Sequence, residues 1–302
     1  MNKIVLLGAD GQVGWELQRS LAPLGQLVVC NRQRADLSDL EGLDRLVRDE
    51  RPNIIVNAGA YTAVDKAESA INTARRVNAE AVATLAKAAR EINAWLVHYS
   101  TDYVFDGSGD APFSEDATTA PLSVYGLTKL EGEEAIRASE CHHLIFRTSW
   151  VYAARGGNFA KTILRLAKER EELRVIADQI GAPTSAELIA DVTSLVLHRT
   201  LQDPSLHDRA AGTYHLVAGG ETSWHSYAQF VISEAIRLGV QLRTTPEKVA
   251  PITTCEYPLP AKRPANSRLN NAKLQSTFDI LLPDWEYHVQ RMIRELADQG
   301  SI

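Results

Sequence analysis

The sequence predicts an α/β protein in which a doubly wound parallel sheet is followed by a smaller α/β domain. Short, almost uninterrupted apolar runs alternate with longer stretches of helical character through the first half of the chain. Strands without polar alternation are typical of a parallel sheet that helices cover on both faces. After residue 150 the pattern changes, and helical stretches are separated by segments that contain proline. The predicted domains are therefore 1–150 and 151–302, with some later segments returning to the first.

The individual elements follow from these patterns. Strands are predicted from β-rich apolar runs at 3–7, 26–30, 53–57, 94–100 and 143–149. Helices are predicted at 38–50, 72–92, 122–138, 158–170, 185–201, 224–238 and 284–298. The alternation of the two types in the first half indicates repeated βαβ units.

The composition excludes several classes of protein. With 302 residues, of which 45% are hydrophobic and 23% charged, the chain has the composition of a globular protein with a sizeable core. The net charge of −6 argues against a nucleic-acid-binding or anionic-membrane surface, and no apolar run approaches the roughly 20 residues of a membrane-spanning helix. No signal-peptide pattern is present at the N-terminus. The cysteines (Cys30, Cys141 and Cys255) are far apart, which predicts reduced thiols in a cytoplasmic protein.

A glycine-rich loop, "LLGADGQVGWEL", joins the first predicted strand to a helix. Gly8, Gly11 and Gly14 give the spacing GxxGxxG, a variant of the dinucleotide fingerprint of Rossmann-type folds. Glycine permits the tight turn and lets the backbone approach a pyrophosphate, whose charge then lies at the helix N-terminus. In this strand–loop–helix context the loop predicts NAD(P) binding rather than an incidental turn.

The end of the second strand is where the adenosine ribose of the cofactor should lie. A carboxylate there favours NAD, whereas a basic residue can meet the additional phosphate of NADP. Asn31 and Arg32 stand at this point, with Arg34 close by. We therefore expect NADPH to be accepted at least as well as NADH, and the alternative is that the arginines are simply solvated. Asp36 and Leu37 are candidates to flank the adenine.

The third strand is followed by small residues in "VNAGAYTAVDKAE". Ala58, Gly59 and Ala60 would let the backbone lie against a cofactor at this strand end. A tight strand-to-helix turn would need the same small residues, so this segment supports the cofactor site without proving it.

The fourth strand ends in "HYSTDYVFDG", which brings Ser100, Thr101, Asp102 and Tyr103 to the carboxyl edge of the sheet. Ligands of open α/β sheets bind at that edge. Thr101 can donate a hydrogen bond to a carbonyl oxygen that gains negative charge during a reduction. Alone, the same hydroxyl could bond its own backbone.

Tyr125 and Lys129 share one face of the predicted helix 122–138. A free tyrosine has a pKa near 10, and a nearby ammonium favours its ionised form, which would ease proton exchange near neutral pH. Taken alone, the pair could be ordinary helix surface. Together with Thr101 and a dinucleotide loop upstream, it predicts a catalytic group.

These features resemble the extended short-chain dehydrogenase/reductase superfamily, and more narrowly the dTDP-4-dehydrorhamnose reductase family. The narrower resemblance rests on "GADGQVGWELQRSLAP", "NAGAYTAVDKAES", "HYSTDYVFDG", "VYGLTKLEGE", "FRTSWVYA", "GAPTSAELIAD", "YHLVAGGETSWHSYA" and "RPANSRL". It covers the chain from end to end. It implies a Rossmann-type NAD(P)-binding domain, a smaller sugar-nucleotide-binding domain, and NAD(P)H-dependent reduction of the 4-keto group of dTDP-4-dehydro-L-rhamnose to dTDP-L-rhamnose.

The resemblance also implies roles for individual residues. Tyr125 would supply the proton, Lys129 would hold the nicotinamide ribose and tune Tyr125, and Thr101 would bind the sugar carbonyl region. The sugar pocket would be lined by Asp102, Tyr103 and Trp150. The cofactor would be contacted by Gly11, Gln12, Val13, Asp36, Leu37, Ala60, Tyr61, Thr62 and Ser100. The family often has an acidic residue where this chain has Asn31, so the choice between NADH and NADPH stays open.

The segment "KRPANSRL" (262–269) is a candidate for the nucleotide diphosphate. Arg263 and Arg268 carry guanidinium groups that can bind a diphosphate bidentately, and Asn266 lies between them. The alternative is a proline-rich surface turn. We expect Arg263 and Asn266 to bind substrate, with Arg268 second to Arg263.

A magnesium ion is expected only from the resemblance, because members of the family have been associated with Mg²⁺ held by glutamates at a homodimer interface. The matching positions are Glu16, Glu187 and Glu295. Carboxylate oxygens suit Mg²⁺, although exposed helical glutamates are usually solvated. His215 and His225 are predicted to be structural rather than metal ligands.

Several other functions are compatible with the same fold. Dehydratases of the superfamily use an Asp-Glu pair directly after the catalytic threonine, and here Asp102 is followed by Tyr103, which argues against dehydration. Another sugar-nucleotide 4-ketoreductase or a 4-epimerase remains an alternative. So does a non-catalytic regulatory subunit that resembles that of methionine adenosyltransferase.

Overall fold

The computed structural model describes residues 2–207 and 209–302 of the chain. Its strands are β1 (Asn2–Leu7), β2 (Gly25–Cys30), β3 (Ile54–Asn57), β4 (Trp95–Thr101), β5 (His143–Thr148), β6 (Val151–Tyr152), β7 (Leu173–Ile176), β8 (Ile180–Gly181), β9 (Thr184–Ser185), β10 (Gly212–His215), β11 (Thr222–Ser223) and β12 (Val249–Ile252). Its α-helices are α1 (Gln12–Leu21), α2 (Leu40–Glu50), α3 (Val64–Ala67), α4 (Ile71–Arg75), α5 (Ala81–Ile92), α6 (Val124–Ser139), α7 (Phe159–Glu169), α8 (Ala186–Gln202), α9 (Pro204–His207), α10 (Trp224–Arg237), α11 (Ala272–Phe278) and α12 (Trp285–Asp298). A π-helical turn, Arg76–Glu80, joins α4 to α5.

Six parallel strands form the central sheet in the order β10-β5-β4-β3-β1-β2. The chain adds β2 on one side of β1 and β3 on the other, so the strand order reverses between β1 and β3. Ligands of doubly wound sheets bind in the crevice that such a reversal opens outside the carboxyl ends of the strands. The loops that follow β1 and β3 are therefore placed to form a binding site.

The apolar run of β1 serves two separate cores, which explains why it lacks polar alternation. Ile4 and Leu6 belong to one buried cluster with residues of α1, α7, α8, α10 and α12, whereas Val5 and Leu7 belong to another with residues of α2, α5 and α6. All four side chains are fully buried. Burial of each such side chain contributes roughly 1.5–3 kcal/mol, so the helices on both faces are fixed to the sheet that carries the site.

The predicted α/β fold with a doubly wound parallel sheet is confirmed. Each predicted strand and helix is present, with ends that differ by one or two residues from the expected ones. The structure adds a sixth strand to the sheet, because β10 pairs in parallel with β5. This strand comes from the second half of the chain, and the division into domains at residue 150 stays a prediction.

The second half forms small sheets beside the large one. These sheets pair β6 with β9, β7 with β12 and β8 with β11. The segment 265–270 also contacts the loop that follows β4. The backbone N–H of Asn266 donates to the carbonyl oxygen of Gly107, and the backbone N–H of Phe113 donates to the carbonyl oxygen of Arg268. These contacts fix the second half against the carboxyl edge of the sheet. Across residues 2–207 and 209–302, no helix is both long and apolar enough to cross a membrane.

Candidate active site

A cavity of about 620 Å³ opens at the carboxyl ends of β1, β3, β4 and β5. It lies in the crevice that the strand reversal creates, and its volume is in the usual range for cofactor and small-molecule sites. It is lined by Gly8, Asp10, Gly11, Gln12, Val13, Arg32, Asn57, Ala58, Gly59, Ala60, Thr62, Tyr99, Ser100, Tyr125, Lys129, Thr148, Val151 and Gly156. Most of the predicted cofactor residues and the predicted tyrosine–lysine pair therefore share one cavity.

The glycine loop has a conformation that side chains would prevent. Gly8 has a φ of +74°, and a Cβ there would lie 2.4 Å from the Gly59 nitrogen. A Cβ on Gly14 would lie 2.1 Å from the Gly8 carbonyl oxygen, so Gly14 permits close packing of the helix on the loop. Gly11 and the first residues of α1 line the cavity, where amide groups lack helical acceptors. This cradle of backbone fits an anionic pyrophosphate.

Two polar atoms at the cavity are ready to bind a ligand. The Oγ1 of Thr148 and the Oε1 of Gln12 are buried, and neither has a hydrogen-bond partner among the described residues. Buried polar atoms are normally satisfied, so these two indicate that the cavity accepts a ligand with polar groups. Together with the glycine loop, they show that the residues present fit a nicotinamide dinucleotide.

At the end of β2, Arg32 lines the cavity and extends into solvent. Its side chain is 86% exposed and forms a surface pair with Asp36, with 3.3 Å between Nε and Oδ2. Arg34 is instead paired with Glu50 at 3.0 Å. Of the two arginines, Arg32 is therefore the one that can turn toward a phosphate. The Asn31 side chain accepts the backbone N–H of Arg34 and so shapes this turn.

Leu37 and the turn after β3 form the wall between the adenine side and the glycine loop. A Cβ on Gly59 would lie 2.7 Å from a methyl group of Leu37, so a side chain at this position would not fit. Tyr61 exchanges hydrogen bonds with Asn78, whose side chain also donates to the Thr128 hydroxyl at 3.2 Å. Asn78 lies in the π-helical turn and thereby joins the cofactor loop to the catalytic helix α6.

Helix α6 begins directly before Tyr125 and brings it to the cavity. The Ser123 hydroxyl caps the helix by accepting the Gly126 N–H at 3.2 Å. Lys129 lies one turn later and is buried, with its Nζ 2.6 Å from the Tyr99 carbonyl oxygen, to which it donates. The predicted common face of Tyr125 and Lys129 is thus directed at the sheet, not at solvent.

Thr101 ends β4 beside Tyr125 and is buried. Its hydroxyl donates to Oδ1 of Asp102 at 3.0 Å and accepts the Tyr103 N–H at 3.2 Å. The ring of Tyr103 packs edge-on against that of Tyr125, with 5.5 Å between centroids. The predicted catalytic and sugar-binding residues of these two elements are therefore in contact.

The protonation of Tyr125 and Lys129 differs from the tuning that the sequence predicts. Desolvation raises the pKa of Tyr125 to about 12 and outweighs the opposing hydrogen bond with Thr101. Burial lowers the pKa of Lys129 to about 8, and the Glu133 carboxylate opposes this effect. At neutral pH, Tyr125 therefore carries its proton and can donate it, which is the direction that reduction of a ketone requires.

Asp102 gives a testable pH dependence of stability. Burial raises the pKa of its carboxyl to about 6, despite hydrogen bonds with Ser267 and Thr101 that lower it. The folded state thus binds more protons than the unfolded state between about pH 4 and pH 6, and stability falls as the pH rises through that window. We expect Asp102→Asn to gain about 2 kcal/mol over the wild type between pH 4 and pH 7 in urea unfolding.

The control for this experiment is Asp106→Asn. Ser108 hydrogen-bonds to the Asp106 carboxylate and holds its pKa below the usual value, so the pH dependence of this variant relative to the wild type should have the opposite sign. Equal pH dependence of the Asp102→Asn variant and the wild type would contradict the raised pKa.

Trp150 is held in a strained position between Thr148 and Val151, which line the cavity. Its backbone has a φ of +48°, which is rare for a bulky residue. The indole stacks on Trp224 with 3.5 Å between centroids and an interplanar angle of 13°. A Cβ on Gly181 would lie 2.8 Å from the Trp150 ring, so this glycine makes room for it. Strain of this kind is often found at ligand sites.

The residues of the segment 262–269 have different environments. Arg263 forms a bidentate pair with Asp65, at 3.1 Å and 2.8 Å. Asn266 is buried, and its amide donates to the carbonyl oxygens of Ser108 and Ala111. Arg268 pairs with Glu221 at 2.7 Å and also donates to Asn266. Asn266 is thus used to hold the loop after β4, whereas Arg263 offers a guanidinium near Tyr103.

Several cavity residues were missed by the sequence reasoning: Asp10, Asn57, Tyr99, Thr148, Val151 and Gly156. Asn57 and Tyr99 lie at the carboxyl ends of predicted strands, so their position in the sheet could have identified them. Gly156 lies in the loop after β6, and its place against Gln12 depends on tertiary packing. His215 and His225 have structural environments: His215 is buried in β10, and Nε2 of His225 lies 2.9 Å from the Val249 carbonyl oxygen.

The glutamates expected to bind Mg²⁺ lie within electrostatic range of one another. Desolvation and the nearby carboxylates of Glu187 and Glu295 raise the pKa of Glu16. Glu16 is 3.8 Å from Arg19, and Glu187 is 3.5 Å from Arg291. Within the part of the chain that the structure describes, no three His, Cys, Asp or Glu side chains are grouped to hold a metal ion. The magnesium site stays a prediction.

Comparisons of sequence and of structure match this chain to the same kind of protein along nearly its whole length. A family model described as the RmlD substrate binding domain matches residues 1–298. A dTDP-4-dehydrorhamnose reductase from Shigella flexneri is 55% identical over 303 residues, which is 99% of both chains. The crystal structure of a Clostridium acetobutylicum dTDP-4-dehydrorhamnose reductase has 35% identity and a TM-score of 0.87, covering 98% of this chain and 99% of that one. A Bacillus anthracis enzyme of the same name, in complex with NADP, has 32% identity and a TM-score of 0.86, with 97% and 99% covered.

Proposed function

Because the chain belongs to the dTDP-4-dehydrorhamnose reductase family, we propose that it reduces the 4-keto group of dTDP-4-dehydro-L-rhamnose with a nicotinamide cofactor and gives dTDP-L-rhamnose. One observation supports the proposal most strongly: Tyr125, which carries its proton at neutral pH, lines the same cavity as the buried Lys129 and the glycine loop. A binding module would not need a proton donor in this position. The protein is thus an oxidoreductase of the Rossmann type.

The chain supplies the proton and the positioning for this reaction. When bound, a reduced nicotinamide supplies the hydride that reaches C4 of the sugar. Tyr125 donates its phenolic proton to the 4-oxygen, which would otherwise carry the developing negative charge. Lys129 lines the cavity beside Tyr125, where it can hold a ribose hydroxyl and stabilise the tyrosinate left behind. Solvent then returns the proton to Tyr125.

The sugar-nucleotide side of the site uses residues from both halves. The Thr101 hydroxyl would turn from Asp102 toward the sugar oxygen when substrate binds, which leaves the Asp102 carboxylate free to accept a sugar hydroxyl. Tyr103 and the strained Trp150 would hold the sugar ring between them. Arg263 would bind the diphosphate, and that requires it to loosen its pair with Asp65.

The assignment is tested by following the absorbance of NADPH or NADH with dTDP-4-dehydro-L-rhamnose as substrate and identifying the product. We expect one cofactor oxidised per sugar reduced, with dTDP-L-rhamnose as product. Interconversion of two sugar epimers without net cofactor oxidation would overturn the proposal in favour of an epimerase, and lack of turnover would favour a non-catalytic binding protein.

The preference for NADPH is proposed to depend on Arg32. Its exposed guanidinium at the cavity can pair with the additional phosphate of NADPH, which NADH lacks. We expect Arg32→Ala to lower kcat/KM with NADPH by about tenfold, the effect of roughly 1.4 kcal/mol, and to leave kcat/KM with NADH unchanged. Steady-state kinetics with both cofactors measure the change.

The control is Arg34→Ala, because the guanidinium of Arg34 is already paired with Glu50. This variant should keep the cofactor preference of the wild type. NADH used as well as or better than NADPH by both the wild type and Arg32→Ala would remove the role of Arg32.

We extend the proposal to the setting of the enzyme. The three cysteines are free thiols, two of them buried, which agrees with a reducing compartment such as the cytoplasm. A nucleotide sugar is the proposed partner. A homodimer that holds Mg²⁺ through Glu16, Glu187 and Glu295 stays a prediction.

A further inference from the structure

A buried hydrogen-bonded chain connects the cofactor loop to Lys129. Asn57, His98 and Lys129 are each 1% exposed. Nδ2 of Asn57 is 3.2 Å from Nδ1 of His98, and Nε2 of His98 is 3.0 Å from Nζ of Lys129. The chain begins at Gly59 in the cavity wall, whose N–H donates to Oδ1 of Asn57 at 3.2 Å. Two strands and one helix thus contribute one side chain each: Asn57 comes from β3, His98 from β4 and Lys129 from α6.

The Gly59 N–H fixes which atom donates and which accepts in each hydrogen bond from Asn57 to Lys129. Because it donates to Oδ1, the amide of Asn57 presents its NH₂ group to His98. Nδ1 of His98 must then accept, so a neutral imidazole carries its hydrogen on Nε2. That hydrogen points at Nζ of Lys129, which must accept it with a lone pair. Nζ then has two hydrogens left, one of which it donates to the Tyr99 carbonyl oxygen.

Both ionisable groups of the chain are consistent with this direction. Burial and the adjacent Lys129 hold the pKa of His98 well below its usual value, so the imidazole is neutral. The carboxylate that faces Lys129 is that of Glu133 on α6, and it is paired with the buried Arg147 of β5. Tyr125, the remaining ionisable neighbour on α6, keeps its proton at neutral pH. Burial lowers the pKa of Lys129 to about 8, so the amine that this direction requires is the main form above about pH 8.

We propose that His98 is a positioning residue that couples the protonation of Lys129 to occupation of the cofactor site at Gly59. An ammonium at Lys129 can only donate to His98, and His98 must then carry its hydrogen on Nδ1. Asn57 must in turn rotate its amide, and the Gly59 N–H loses its acceptor. A cofactor oxygen that accepts from Gly59 removes that cost, so cofactor binding and proton uptake by Lys129 favour each other.

This coupling rests on the proposed function, in which an ammonium at Lys129 stabilises the tyrosinate form of Tyr125. Above about pH 8, where Lys129 is largely an amine before binding, the cofactor would convert it to an ammonium and so prepare the site for the step in which Tyr125 becomes a tyrosinate. The proton comes from solvent, His98 carries one hydrogen before and after, and the net change is one proton on Nζ. The ammonium then stabilises the charge that Tyr125 gains when it gives its proton to the sugar.

Calorimetry of NADPH binding measures the proton directly. At pH 8, the binding heat in phosphate and in Tris should reveal an uptake of about half a proton per NADPH, because Lys129 is half protonated before binding. His98→Gln gives Lys129 an amide that rotates independently of Asn57, and its uptake should fall to less than about a fifth of the wild-type value. Lys129→Met should show none.

A matched control and an independent measurement separate coupling from mere loss of structure. His143→Gln removes a histidine at the amino end of β5, outside the cavity, and should retain the wild-type uptake. Histidine ¹⁵N spectra of the wild type at pH 9, where Lys129 is mostly an amine before binding, should show His98 protonated mainly at Nε2 before and at Nδ1 after NADPH is added; His98→Gln assigns the signal. Uptake unchanged in folded His98→Gln, or His98 protonated mainly at Nδ1 at pH 9 in the protein without NADPH, would overturn the coupling.

The proposed function can fail separately from this inference. If the protein binds NADPH with the expected uptake but does not reduce the sugar, only the catalytic assignment fails. If it turns over the sugar while His98 keeps one tautomer throughout, only the coupling fails. Absence of binding of both NADPH and NADH would overturn both.

Discussion

Replacement of Tyr125 by phenylalanine should reduce kcat by about 10²- to 10⁴-fold, the usual contribution of a positioned proton donor. The reason is that the phenol is the group that carries a proton at neutral pH beside Thr101, since burial raises its pKa to about 12. The ring of the variant would keep its contact with Tyr103, so the cavity should keep its shape. Initial rates of NADPH oxidation with dTDP-4-dehydro-L-rhamnose give kcat and KM separately.

Two comparisons make this result specific to the proton. Tyr125→Phe should bind NADPH as the wild type does, which fluorescence of the bound nicotinamide can measure. Tyr103→Phe loses a hydroxyl from the adjacent ring and should change kcat far less. If Tyr125→Phe and the wild type reduced the sugar equally fast, another group would be the proton donor.

Among the substitutions proposed for this protein, removal of the Glu133 carboxylate should cause the largest loss in the free energy of unfolding. Glu133 is fully buried and accepts two hydrogen bonds from Arg147, at 2.9 Å and 2.6 Å. Despite its burial, these contacts hold the pKa of Glu133 below the usual value. Glu133→Ala would leave the Arg147 guanidinium unpaired inside the protein, which costs about 3–5 kcal/mol in such sites. Thermal unfolding should show a midpoint lowered by on the order of 10 °C.

The double variant Glu133→Leu with Arg147→Met tests the cause. It removes both charges and replaces them with apolar groups of similar size, so much of the loss should be recovered. Glu169→Ala breaks a solvent-exposed pair with Arg165 and should cost less than about 1 kcal/mol. A loss in Glu133→Ala no larger than that of Glu169→Ala would show that the buried pair contributes little.

The fold could be predicted from the sequence because its signals are local. The run "KIVLL" has no polar positions, and the structure gives Ile4 and Leu6 to one core and Val5 and Leu7 to the other. The glycine spacing placed Gly8 at the switch point for the same reason, since a turn with positive φ next to a strand needs glycine. By contrast, no local signal shows that β10 joins the main sheet, because its partner β5 is distant in the sequence.

The electrostatics of the site could not be predicted, because they depend on burial. From spacing alone, Lys129 is a cation on the same helix face as Tyr125. In the structure it is enclosed by Tyr99 and His98, and its pKa is lowered. Asn266 is a similar case: its contact with substrate stays a prediction, and its hydrogen bonds to the carbonyl oxygens of Ser108 and Ala111 could not be read from the sequence. Which polar group faces a ligand is decided by packing between distant segments.

The parallel pairing of β10 with β5 has a consequence for how the chain folds during synthesis. Until residues 212–215 have left the ribosome, β5 remains an open edge with unpaired backbone groups, although the residues of the other central strands are already available. A nascent or truncated chain that ends near residue 150 would therefore carry the whole nucleotide loop on an unfinished sheet, prone to pair with a neighbouring chain. The sheet that carries the N-terminal nucleotide loop is thus complete only when β10, more than two thirds of the way along the sequence, has been synthesised.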